Sequence, residues 1–125
     1  MIGASLCALG VTLGAFGAHA IADTLTPVQI AWWDTATEYV WYHGIGFLAV
    51  SAHGQQLHIE KVIKRILFPG IILFSGSLYL YAFTGFRPLG MITPIGGTLL
   101  LFGWLKICWI LKRTPPIHND EDLEA

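Results

Sequence analysis

Residues 66–86 read ILFPGIILFSGSLYLYAFTGF, twenty-one positions without a charge. An α-helix rises about 1.5 Å per residue, so a run of this length crosses the roughly 30 Å hydrocarbon core of a bilayer. The same reading extends to both sides. Ile2 to Ala22 is another 21 uncharged residues, and Tyr39 to Gly54 gives 16, broken only by His43 and His53. Leu89 to Leu105 gives 17, and the apolar pattern resumes after Lys106 through Leu111. The sequence therefore predicts an all-α polytopic membrane protein, a compact bundle of four transmembrane helices. The expected spans are about 2–22, 37–54, 63–85 and 93–112. They form one domain over 1–113, followed by an acidic tail over 114–125 that is expected to be disordered.

Composition agrees. Of the 125 residues, 54% are hydrophobic and 12% charged, against about 25% charged in soluble domains. This excludes a nucleic-acid binder, a disordered chain and an ordinary soluble enzyme. The net charge is −1, and four of the eight acids fall in the last six residues, Asp120, Glu121, Asp122 and Glu124. The body of the chain is left almost without acids.

The breaks between spans carry helix punctuation. Thr26-Pro27 and Thr93-Pro94 each place a capping hydroxyl before a proline at the first helical position. Gly54-Gln55-Gln56 closes the second span, Gly85-Phe86-Arg87-Pro88 the third, and Thr114-Pro115-Pro116 the fourth. Pro69 lies inside the third run and lacks the N–H that would bond the Arg65 carbonyl, so a kink or fresh helix start is expected there. Ala18-His19-Ala20 has the form of a signal-peptidase site, but the run before it has no basic region and contains four glycines, which favours a retained span.

Loop charges set the expected orientation. Lys61, Lys64, Arg65, Lys112 and Arg113 lie on one side and Arg87 alone on the other, which puts both termini in the cytoplasm; for a bacterial chain the expected location is the cell (inner) membrane. Thr24 to Glu38 is then outside, with Trp32, Trp33, Tyr39, Trp41 and Tyr42 as interfacial anchors. Lys106 is the deepest cation, expected to snorkel inward. Cys7 and Cys108 show no C-x-x-C pairing and read as free buried thiols.

Lipid supplies no hydrophobic drive for helix association, so membrane helices meet through small residues. Gly10 and Gly14 form a GxxxG pair, and Gly96 and Gly103 lie one heptad apart, with Gly76 notching the third span. These five are expected to line the helix contacts. Ser75, Ser77, Tyr79 and Tyr81 supply hydroxyls for interhelical bonds. Ionisable groups near the outer side are His19, Asp23, Asp34, Glu38, His43 and Arg87. They read either as a structural clasp or as a cluster for metal or protons; the usual spacing of a metal site, two ligands at i,i+4 on one helix with a third nearby, is not evident, so no metal is assigned. Arg87 is expected to pair with Asp34, Glu38 or Asp23, and His43 to be buried and bonded to a carbonyl or hydroxyl of the first or third span.

Several stretches together resemble a known family: Leu9 to His19, Ala31 to Ala36 running into Tyr39 to His43, Leu73 to Tyr81 with Thr84-Gly85, and Ile92 to Gly97 followed by Gly103-Trp104. Over about residues 2–111 the chain resembles the domain-of-unknown-function 423 family, the transmembrane protein 256-like small membrane proteins. The resemblance implies a compact multi-span protein and carries over no catalytic residue.

Neither G-x-S-x-G nor H-E-x-x-H occurs, and no catalytic residue or cofactor is assigned. The expected function is a structural or accessory subunit, or an interaction protein, whose partners are the lipid bilayer and another membrane protein or a second copy. A small transporter or channel using the outer His/carboxylate cluster is the alternative. Against it, the first span has no acid of the kind on which proton-coupled small exporters depend.

Overall fold

The computed structural model describes residues 1–52 and 56–113. His53, Gly54 and Gln55 at the end of the second expected span lie outside the described residues, as do the acidic tail 114–125 and its His118. Among the described residues the regular structure is helical. Helix α1 (Ile2–Phe16) runs into a π-helical turn, Gly17–Ile21, and α2 covers Pro27–Val50. Helix α3 (Gln56–Val62) passes through a second π-helical turn, Ile63–Leu67, into α4 (Phe68–Thr84). A 3-10 turn, Arg87–Met91, leads to α5 (Thr93–Arg113).

Local chemistry explains these boundaries. The Thr26 hydroxyl accepts from Gln29 N–H while the Gln29 side chain takes the Thr26 N–H, a complete capping box with Pro27 at the first helical position. Gly85 ends α4 at φ +63, a left-handed conformation that favours glycine. The expected break at Pro69 takes another form. The widened π turn at Ile63–Leu67 lies immediately before Phe68-Pro69, at the place where the proline leaves the helical ladder short of a donor, and the helix continues from Gln56 to Thr84.

Ile2–Ile21, Leu57–Thr84 and Arg87–Arg113 are each long and apolar enough to cross a membrane. Helix α2 carries Asp34 and Glu38 and is not among them, but it lies along α1 from end to end. Gly3 abuts Gly44 and Leu48, Gly10 abuts Trp41, Gly14 faces Thr37 and Gly17 abuts Trp33. A helix that accompanies α1 over that distance crosses what α1 crosses. Helix α2 also packs on α4, and α4 on α5, with Leu6, Val40, Phe47, Leu67, Ile71, Leu100 and Ile107 in the shared core.

Helix α2 begins at Pro27, where the Thr26-Pro27 signal placed a helix start, ten residues before the expected start of the second span, so the connection from the first span is the residues between Ile21 and Pro27. Trp33, expected among the interfacial anchors, is a core residue only 3% exposed. The thiols of Cys7 and Cys108 are free as expected, but neither is buried: Cys7 is half-buried and Cys108 is exposed on α5.

Candidate functional site

The glycines show which faces are spoken for. A methyl group on Gly96 would lie 2.8 Å from Phe74 Cα and 2.9 Å from the Gly70 carbonyl oxygen, so α4 and α5 meet backbone to backbone there. On Gly103 it would lie 2.7 Å from Leu67 Cγ, and on Gly10 2.8 Å from the Trp41 ring. Gly14 is looser, with Thr37 Cγ2 at 3.8 Å, and Gly76 meets nothing within 4 Å. Gly76 is therefore not a contact residue: it lies one turn from exposed Ile72 and one from exposed Leu80, on the outward side of α4. Close approaches that the sequence reading did not single out occur at Gly44, Gly46 and Gly70, against Cys7, Trp104 and Leu100. Their signal was present in the small side chains, but it gave no direction. The GxxxG stripe of α1 is used within the chain, on α2.

Hydroxyls join the helices at two points. Thr37 Oγ1 and Tyr79 Oη are 3.0 Å apart between α2 and α4, and Ser77 Oγ lies 2.8 Å from Thr93 Oγ1 at the start of α5. The Tyr81 ring stacks on Trp32 at 3.9 Å between centroids. A double-mutant cycle with Thr37→Val and Tyr79→Phe is expected to give a coupling of about 0.6 kcal/mol in detergent unfolding, the average for such bonds in membrane helices.

The outer ionisable residues do not form one cluster. His43 is buried among Tyr39, Phe47 and Trp104, and its Nδ1 lies 2.7 Å from the Tyr39 carbonyl. A carbonyl only accepts, so Nδ1 carries the proton and Nε2 is left buried without a partner. The expected bond to a carbonyl thus exists, but it is made within α2, to Tyr39 one turn back along the helix, and not to α1 or α4. His19 and Asp23 are exposed at the outer end of α1. Among the described residues no three His, Cys, Asp or Glu side chains converge as metal ligands would.

Arg87 does not meet the expected acid. Among the described residues the ion pair present is Glu60 with Lys64. Arg87 is exposed at the start of the 3-10 turn, on the connection from α4 to α5. Asp34 and Glu38 belong to a different side of α2. They lie two positions from Ala36, which is fully buried in the bundle, and successive helical residues turn by about 100°. Their side of the helix, continued by Ala31, Tyr42, Ile45 and Ala49, is exposed. Arg87→Ala is therefore expected to leave unfolding stability within about 0.5 kcal/mol of the parent.

Depth distinguishes this face. Thr37 stands opposite Gly14 of α1 and Tyr79 of α4, which puts Glu38 level with Leu13. Eight residues separate Leu13 from Ile21 at the outer end, about 12 Å along a helix. Half of a hydrocarbon core is about 15 Å. With Ile2–Ile21 as the span, Glu38 falls near the middle of the layer, and Asp34 one turn nearer the Ile21 end. Phe16 and Leu80, within a turn of Asp34, and Phe83 and Phe86, at its level or further along, are exposed apolar side chains on the other elements. Neither carboxylate has a hydrogen-bond or ion-pair partner among the described residues. Lys106 is no counter-charge. Gly103 meets Leu67, so three residues further along α5 Lys106 is level with Lys64, at the basic end of the bundle.

The family model described as "Protein of unknown function (DUF423)" matches residues 13–97. A UPF0382 membrane protein of Staphylococcus saprophyticus is 42% identical over 108 residues, 86% of this chain and 90% of the relative. The Bacillus subtilis UPF0382 membrane protein YwdK is 37% identical, covering 86% of this chain and 89% of its own length. The Escherichia coli UPF0382 inner membrane protein YgdD is 36% identical, covering 75% and 73%. No solved structure matches. With helices of membrane-crossing length, glycine contacts between them and a family match over most of its length, this chain belongs to the DUF423 family of membrane proteins.

Proposed function

We propose that the chain is a structural or accessory component that associates with another protein inside the membrane. The observation that carries this reading is the outward side of α2, where Asp34 and Glu38 stand exposed at the depth of apolar side chains on the neighbouring helices. A carboxylate facing hydrocarbon costs at least about 2.5 kcal/mol, so such a side is stable only where something polar covers it. The glycine stripe of α1 is occupied by α2, which leaves this face as the natural contact. The reading places the protein in the inner membrane with both termini cytoplasmic, since Lys61, Lys64, Arg65, Lys106, Lys112 and Arg113 gather at one end.

The transporter reading has less behind it. His19 is level with the first turns of α2, whereas His43 lies about 18 Å deeper and is enclosed by aromatic rings. The test is native electrophoresis of the tagged full chain, extracted mildly from the membranes of its own cells. The reading expects a species heavier than the single chain in its micelle. Migration as a single chain under all mild conditions would remove it.

A further inference from the structure

We infer that the partner of the α2 face is a transmembrane helix carrying an arginine or lysine near the middle of the bilayer. The inference rests on the reading of the chain as an assembly component and names the chemistry of the contact. Two independent facts combine. The first is the pair itself: Asp34 and Glu38 lie at i,i+4 on one exposed side of α2, with no partner among the described residues. The second is its depth, set by the contacts of α1 and α4 that fix the register of α2: Gly3 on Gly44, Gly10 on Trp41, Gly17 on Trp33, and Thr37 on Tyr79. At the rim, water would solvate these carboxylates. Below the rim it does not: Glu38 lies about 12 Å and Asp34 about 6 Å from the level of Ile21, and intramembrane carboxylates pair with ions of opposite sign or line a polar cavity.

The occupant follows from charge. A second copy docked through the same side in a two-fold arrangement would bring Glu38 towards its own equivalent, like charge against like. It would also bring no cation to that depth. Arg87 sits on the outer connection, and Lys106 is level with Lys64 at the inner end. A helix with one central cation satisfies both carboxylates. The neighbours of the pair suit a helix rather than a soluble ligand: Ala31 and Thr35 are small and allow close approach, and Tyr42 offers a hydroxyl one turn below Glu38. Arginine is the better fit, because its planar fork donates to two carboxylates one turn apart.

The experiment uses the full chain, labelled with a donor fluorophore and reconstituted in phosphatidylcholine vesicles. The probes are three synthetic leucine helices of about 20 residues bearing an acceptor. One has a single central arginine, one has that arginine moved to its end, and one has none. The central-arginine helix is expected to associate about tenfold more tightly than the other two. Asp34→Asn with Glu38→Gln, which keeps shape and removes charge, is expected to abolish the difference. Glu38→Arg is expected to transfer the preference to a helix with a central glutamate. Equal association of the three helices with the unaltered chain overturns the inference without any variant, which covers the case in which a variant does not fold. So does a folded double variant that still prefers central arginine, or self-association of the chain through Glu38. The reading beneath it fails separately, if the native chain migrates alone.

Discussion

Replacing Gly96 by alanine is expected to destabilise the protein by about 3 kcal/mol, and replacing Gly76 by alanine to leave it unchanged or stabilise it by up to about 1 kcal/mol. Both are glycines in apolar helices, and nothing in their immediate sequence separates them. The difference lies in what the added methyl meets. At Gly96 it meets the Phe74 backbone and the Gly70 carbonyl, and main chain cannot swing aside as a flexible side chain can. Helix α5 would have to move away from α4, loosening the Leu100 and Leu67 contacts on either side. At Gly76 the methyl enters open space, and only the gain in helix propensity remains. Unfolding in mixed micelles, followed by far-ultraviolet circular dichroism, reads both. A Gly96→Ala variant as stable as the parent would mean that α4 and α5 are not in backbone contact.

Trp33→Ala is expected to cost about 3–5 kcal/mol, the range for emptying a large aromatic site. The indole is only 3% exposed, and it packs with Phe16, Tyr79 and Phe83 at centroid distances of 5.7, 4.5 and 5.4 Å. Its Nε1–H donates to the Leu13 carbonyl at 3.0 Å, tying α2 to the turn of α1 just before the π-helical segment. Gly17 makes the fit possible, since a methyl there would fall 2.7 Å from Trp33 Cδ1. Trp33→Phe keeps most of the volume and loses the hydrogen bond, so about 1 kcal/mol is expected for it. If Trp33→Ala instead matched the mild effect of an interfacial ring, the α1–α2 register would be in error, and the depth of Glu38 with it.

Helix number, the Thr26-Pro27 start, the Gly85 stop and membrane class were all legible in the sequence, because each depends on local chemistry or on the length of an uncharged run. Direction was not. Gly10 and Gly76 look alike until a neighbouring helix is placed beside one of them. Trp33 and Trp32 are adjacent aromatic residues, yet one is core and the other is half-buried against Tyr81. The start of α2 at Pro27 was legible in the capping signal, but Asp34 and Glu38 interrupt the uncharged run, which placed the start of the membrane span at residue 37 rather than near Pro27. The pairing predicted for Arg87 failed for the same reason, since it assumed that outer charges share one surface. Side-chain direction around a helix follows from which faces are packed, and that information is tertiary.

The depth of the α2 face is what the account depends on most, and electron paramagnetic resonance measures it directly. Nitroxides at Val28, Thr35 and Tyr42, introduced after replacing Cys7 and Cys108, leave both carboxylates in place. In reconstituted bilayers the account predicts that access to a water-soluble nickel chelate falls steeply from Val28 to Thr35 and further to Tyr42, while access to oxygen rises. A label at Thr35 as open to the nickel chelate as one at Val28 would place Asp34 and Glu38 in water, and would contradict it.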